Sequence, residues 1–72
     1  MNGTSLKNLV ERYGFGITVR SERQGYPEFV VIGVYSDDRF YRVQYVETRA
    51  IGPVLADCEG TNDYILIAEA TS

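Results

Sequence analysis

The chain has no histidine, no tryptophan and a single cysteine among its 72 residues. Without histidine, the usual zinc-ligand sets cannot be assembled, and the side chain best suited to proton transfer near neutral pH is missing. With Cys58 as the only thiol, no disulfide can form within the chain. We therefore expect no cofactor and no metal, and we expect that the protein is not an enzyme.

Cys58 lies between Asp57 and Glu59. A nucleophilic cysteine needs a basic neighbour that favours the thiolate, and adjacent carboxylates have the opposite effect. The oxygen-bearing side chains around Gly60 do not follow the EF-hand spacing for calcium. The pattern predicts a solvated turn over residues 57–63, in which Cys58 is a small turn residue.

Long apolar runs are also absent, so no segment is long enough to span a bilayer as a helix. The first residues do not show a basic stretch followed by an apolar one, as a secretory signal would. We expect a cytoplasmic protein that has no membrane contact.

Basic residues are missing from the last third of the chain. Residues 1–49 carry seven basic and six acidic groups, and residues 50–72 carry four acidic groups and no basic one, which gives the net charge of −3 (7 − 6 − 4). Because proteins bind DNA and RNA by neutralising phosphates with Lys and Arg, direct nucleic-acid binding is disfavoured.

The length of the chain predicts one domain, residues 1–72, with a small core. A domain of this size buries only about 60% of the surface that its unfolded chain exposes. Such cores are often supported by disulfides, metals or self-association, and the composition leaves only the third. A homodimer is therefore one alternative for the assembly.

The secondary-structure patterning is clear at the start of the chain. Residues 6–13 have apolar side chains at helical spacing, Thr4 or Ser5 can cap the start, and Gly14 can end the helix. Residues 16–20 alternate, which predicts a strand with Ile17 and Val19 in the core. The apolar stripe of the helix comprises Leu6, Leu9, Val10 and Tyr13.

The centre of the chain, residues 29–46, predicts a β-hairpin around the polar turn 36–39. If Tyr35 lies opposite Phe40, one hairpin face is uniformly apolar and faces the core, because directly opposed residues share a face. That face comprises Val30, Ile32, Val34, Tyr41, Val43 and Tyr45. The second face pairs Phe29 with Val46, Val31 with Gln44, Gly33 with Arg42, and Tyr35 with Phe40.

Two further strands complete the predicted fold. Residues 50–56 contain Pro53, which lacks a backbone donor, so this segment is at best an edge strand or one broken at the proline. Residues 64–70 are almost continuously apolar, as in a strand covered on both faces, inside the sheet or across a dimer boundary. The fold class is α+β, a short N-terminal helix packed on a four- to five-stranded, mainly antiparallel sheet. The alternative is a small SH3-like barrel with an N-terminal helix.

The second face of the hairpin is the main indication of function. Tyrosine and arginine are overrepresented in binding hot spots, and an exposed apolar patch on a small domain often marks an interface. The competing interpretation is that the helix or the last strand covers this face. We expect a non-catalytic protein-interaction or regulatory module that binds a protein partner. The predicted partner-binding residues are Tyr35, Phe40, Arg42, Phe29 and Val46.

The alternative function is an acidic inhibitor or decoy of the phage or mobile-element type, which would occupy a nucleic-acid-binding site on its target. It requires that two acidic turns lie at the same end of the molecule. The predicted acidic surface comprises Asp37, Asp38, Asp57, Glu59 and Asp63.

Overall fold

The computed structural model describes residues 4–56 and 63–70 and shows one helix packed on a five-stranded antiparallel sheet. Consecutive strands are neighbours except the last, which returns beside the first, and the order across the sheet is β4-β3-β2-β1-β5. The predicted α+β fold with an N-terminal helix is confirmed. The elements are α1 Leu6–Tyr13, β1 Thr18–Ser21, β2 Phe29–Val34, β3 Phe40–Tyr45, β4 Ile51–Leu55 and β5 Tyr64–Ala68.

Helix α1 begins and ends at the predicted residues. The Ser5 side chain accepts a hydrogen bond from the backbone N–H of Asn8 at 3.1 Å, which satisfies one of the free donors of the first turn. At the other end Gly14 has φ 84° and donates its N–H to the Val10 carbonyl at 2.8 Å. The side chain of Leu6 is fully buried against the sheet.

The start of α1 is bonded to both edges of the sheet. Thr4 and Tyr64 of β5 exchange two backbone hydrogen bonds, of 3.0 and 2.6 Å. The Lys7 N–H donates at 3.1 Å to the carbonyl of Ala56, which directly follows β4. Since an isolated helix of eight residues is marginal in water, these bonds and its buried leucines hold α1 across one face of the sheet.

The core lies between α1 and this covered face of the sheet, here called the inner face. Ile17 and Val19 are fully buried, as the alternation of residues 16–20 predicts. Two aromatic residues of β3, Tyr41 and Tyr45, also belong to the core or pack against it, as predicted. The largest fully buried side chains are those of Leu6, Ile17, Val19, Val31 and Val43.

The hairpin of β2 and β3 forms, but its register changes halfway along. Near the turn the predicted pairing is found, and Gly33 lies opposite Arg42. Ile32 is then an extra residue on β2, so Val31 lies opposite Val43 instead of opposite Gln44 as predicted. One extra residue in one strand is a β-bulge, and it exchanges the two faces of the bulged strand beyond it.

The bulge overturns part of the predicted hairpin face. Phe29 is 4% exposed and Val31 is fully buried, whereas Ile32 is 40% and Val34 is 44% exposed and Val30 is only half-buried. The prediction that Val30 and Ile32 face the core is therefore wrong, and Val34, which pairs with Tyr41 as predicted, is exposed at the end of the strand instead of buried. The physical reason is that β2 is apolar at both alternating sets of positions, so either set can be buried.

The two edge strands are β4 and β5. At the two ends of β4, the Ala56 N–H donates to the Arg39 carbonyl and the Tyr45 N–H donates to the Ala50 carbonyl, each at 2.9 Å. Even-numbered positions of β4 are therefore in hydrogen-bonded pairs with β3, and the nitrogen of Pro53, which has no hydrogen to donate, points away from β3. The predicted edge strand is confirmed. Of the two places predicted for β5, a position inside the sheet is wrong, because β5 pairs with β1 at the other edge and Ile67 is exposed. A position across a dimer boundary stays a prediction.

Candidate functional site

The sheet face opposite α1, here called the outer face, is not covered by any helix or strand within residues 4–56 and 63–70. Its side chains alternate with the buried ones, and the pairing of adjacent strands places them side by side. The competing interpretation, that α1 or β5 covers this face, is wrong. The outer face comprises positions 18 and 20 of β1, 30, 32 and 33 of β2, 40, 42 and 44 of β3, 51, 53 and 55 of β4, and 65, 67 and 68 of β5.

Large apolar side chains of the outer face are exposed to solvent. Ile51 and Leu55 of β4 are 52% and 40% exposed, and Ile32 of β2 and Ile67 of β5 are similarly exposed. A single exposed isoleucine is ordinary, but several on one sheet face form an apolar surface of the kind that marks an interaction site.

The charges of the strands are all of one sign and all on the outer face. Within residues 4–56 and 63–70, Arg20 and Arg42 are the only charged residues in the five strands, and no acidic residue of these ranges falls within a strand. The outer face therefore combines apolar side chains with two guanidinium groups.

Arg42 lies in the middle of the most apolar part of this face. Pro53 is directly opposite it on β4, Gly33 is directly opposite it on β2, and Phe40 precedes it on the same face. Its guanidinium carbon lies 6.0 Å from the centre of the Tyr35 ring, a cation–π distance. A depression of about 410 Å³ beside it is lined by Tyr35, Ser36, Asp37, Phe40 and Pro53.

We call this region the Arg42 patch. It consists of Arg42, Ile32, Tyr35, Phe40, Pro53 and Leu55. The structure thus brings together three of the predicted partner-binding residues, Tyr35, Phe40 and Arg42. The sequence did not predict that β4 and Ile32 contribute to this patch. For β4, a usable signal is the alternation of Ile51, Pro53 and Leu55 with smaller residues.

The predicted surface role of Phe29 is wrong. Its ring is buried in the core with Tyr45 and Tyr64, at centroid distances of 5.6 and 5.8 Å and with edge-to-face geometry. The bulge at Ile32 is the physical reason, since it turns Phe29 toward α1.

Val46 is exposed, as a partner-binding residue must be, but it lies away from the Arg42 patch. It follows the last residue of β3, and its N–H donates to the Glu28 carbonyl at 3.1 Å, at the end of the hairpin opposite the turn. Val46 therefore lines a separate shallow depression with Val30 and Arg49.

The predicted acidic residues do not gather at one end within the described residues. Asp37 and Asp38 are exposed at the tip of the hairpin, where the Asp37 carboxylate accepts a hydrogen bond from the Arg39 N–H at 3.1 Å. The carbonyl of Asp63 accepts from the N–H of Glu22, just after β1, and this is the opposite end of the sheet. Asp57, Glu59 and Cys58 lie outside the described residues.

Other parts of the structure offer less chemistry. A groove of about 700 Å³ lies between α1 and β5, and its ionisable side chains include Glu11 and Arg12. Within the described ranges, no three metal-ligating side chains are grouped where they could hold an ion. None of the described helices has the length and apolar character needed to cross a membrane.

Comparison of the chain with protein-family models, with curated protein sequences and with solved structures finds no match to any of them.

Proposed function

We propose that this chain is a small non-catalytic interaction module that binds a protein partner through its outer face. The observation that carries this proposal is a sheet that α1 covers on one face, while large apolar side chains are exposed on the other face in the part of the chain that the structure describes. The absence of histidine from the chain favours binding over catalysis.

The size of the outer face favours a transient contact. Five strands about 4.8 Å apart and about five residues long, at about 3.3 Å per residue, span roughly 400 Å². Contact over that whole face buries on the order of 800 Å² on the two partners together, which is below the range of about 1,200–2,000 Å² for stable complexes. A regulatory partner that binds and dissociates fits this area better than an obligate subunit.

The test is to place a negative charge on the outer face and to measure which binding partners are lost. In Phe40→Asp and Leu55→Asp, a carboxylate replaces an apolar side chain of the Arg42 patch, and a desolvated carboxylate is costly at an interface. The matched control is Tyr26→Asp, which changes an exposed aromatic residue in the connection between β1 and β2. Binding partners are identified by affinity enrichment with quantitative mass spectrometry, with circular dichroism to verify folding.

A specific partner must be lost from both outer-face variants and kept by Tyr26→Asp. If every enriched protein binds all three variants equally, the outer face is not the interaction surface and the proposal fails. Sedimentation velocity of the same proteins tests the homodimer, which predicts a dimer for the wild-type chain and a monomer for Phe40→Asp.

The acidic-decoy function has less support. Within the described residues, Asp37 and Asp38 are the acidic side chains at the hairpin tip, and Asp63 is at the other end of the sheet. The double variant Asp37→Arg and Asp38→Arg would weaken binding and flatten its dependence on salt if this surface met a basic target.

A further inference from the structure

We propose that the partner of the outer face inserts a carboxylate of its own, flanked by apolar side chains, onto the guanidinium of Arg42. This inference rests on the proposed function and specifies the chemistry of the partner. The partner is a protein segment that carries Asp or Glu within an apolar surface.

The positive charge of Arg42 is the reason for a carboxylate on the partner. Any partner that covers the apolar side chains around Arg42 also removes the guanidinium from water, and a buried charge is costly unless it is paired. No carboxylate within residues 4–56 and 63–70 forms an ion pair with Arg42, whose guanidinium lies over the ring of Tyr35. In this proposal the acceptor is a carboxylate of the partner.

The geometry around Arg42 suits a carboxylate in particular. A guanidinium binds a carboxylate through two parallel hydrogen bonds, and an apolar surround that excludes water strengthens such a pair. Contact with the Tyr35 ring restrains the arginine side chain before binding, so less conformational entropy is lost when the pair forms. Phe40, Pro53 and Ile32 supply the apolar surround.

A second copy of this chain fits less well. The strands of a second outer face would bring its own Arg20 and Arg42 and no carboxylate, so two outer faces packed together would bury four guanidinium groups without an acidic partner from the strands. Single-stranded nucleic acid carries a phosphate at every nucleotide, and the described strands of the outer face offer only Arg20 and Arg42 to neutralise them.

The experiment uses the whole chain and a phage-displayed library of random dodecapeptides. Peptides enriched on the wild-type chain are synthesised, and their affinities are measured by fluorescence anisotropy for wild type, Arg42→Glu, Arg42→Lys and Phe40→Asp. The matched control is Arg12→Glu, because the Arg12 guanidinium also lies over a tyrosine ring, that of Tyr13 at 5.8 Å, but on α1. Self-association is followed by sedimentation, and a fluorescent single-stranded oligonucleotide is included as a further ligand.

We expect the enriched peptides to share an Asp or Glu between apolar residues. Their affinity should fall at least tenfold in Arg42→Glu, fall less in Arg42→Lys, and stay within about twofold of wild type in Arg12→Glu, with weaker binding at high salt. Replacement of the peptide carboxylate by its amide should lower the affinity for the wild-type chain. The same replacement should not lower the affinity for Arg42→Glu.

Several outcomes would overturn the inference. Peptides that lack a carboxylate and lose binding in Phe40→Asp but not in Arg42→Glu would support the outer face as the interaction surface. They would contradict the inference that a carboxylate of the partner binds Arg42. Peptides indifferent to both changes, or no enrichment at all, would count against the surface itself. If Arg42→Glu abolishes a dimer, the ligand of Arg42 is a second copy of the chain and not an acidic peptide. If it abolishes oligonucleotide binding, the ligand is a phosphate group.

Discussion

Two adjacent valines of β2 provide the sharpest test of the fold. Val31 is fully buried on the inner face, whereas Val30 is half-buried on the outer face. The substitutions Val31→Ala and Val30→Ala remove the same atoms from the same strand, so the loss of β-propensity is common to both. A difference between the two variants in the loss of unfolding free energy therefore shows which side of β2 faces the core.

The magnitudes follow from burial. Val31→Ala removes two buried carbon groups at about 0.8 kcal/mol each and leaves a cavity, for a total of about 2–3 kcal/mol. Val30→Ala should cost less than about 1 kcal/mol, because much of the side chain is already in water. A domain of 72 residues has a free energy of unfolding of about 4–11 kcal/mol, so both variants remain folded.

Urea denaturation followed by circular dichroism measures both costs. At about 4–8 °C per kcal/mol for a domain of this size, thermal melting should show a drop of at least about 8 °C for Val31→Ala and only a few degrees for Val30→Ala. Equal costs, or a larger cost for Val30→Ala, would refute the bulge at Ile32 and restore the unbulged register. Measurements at two protein concentrations exclude a contribution from self-association.

Two further predictions concern single positions. Gly16 has φ 98°, and a Cβ there would lie 2.9 Å from the Cβ of Ala70, so Gly16→Ala should lower the free energy of unfolding by about 1–3 kcal/mol in urea titrations. Gly33→Ala, where a Cβ meets nothing within 4 Å and φ is not positive, is the control and should be neutral or slightly stabilising; equal losses would contradict the close approach. Ser5→Ala should cost about 1 kcal/mol through loss of the N-cap, and Ser5→Asp should retain the stability; no difference between them would mean that the cap bond contributes nothing.

Local patterns predicted the elements well because each depends on neighbours in the chain. The helix follows from the spacing of Leu6, Leu9 and Val10 and from its two caps, and all of these are confirmed. Pro53 restricts its segment to an edge because the missing donor must face away from the sheet.

The candidate site was predicted in part. Tyr35, Phe40 and Arg42 share the outer face because the register near the turn is set by the turn itself. Phe29 was misplaced because it lies beyond the bulge, where that register no longer applies. The β4 side chains of the Arg42 patch depend on pairing with β3, which the hairpin alone does not reveal.

The amino-acid sequence by itself determines that this chain is a helix followed by short strands and that one hairpin is central. Only the tertiary structure decides which side of β2 is buried, that β5 lies at an edge, and that the described helix and strands leave one face of the sheet uncovered. The physical reason is that β2 has apolar side chains on both sides, so packing against α1 and the extra residue Ile32 select between them. The place of β5 depends on backbone hydrogen bonds to β1 and Thr4, which almost any residue can form.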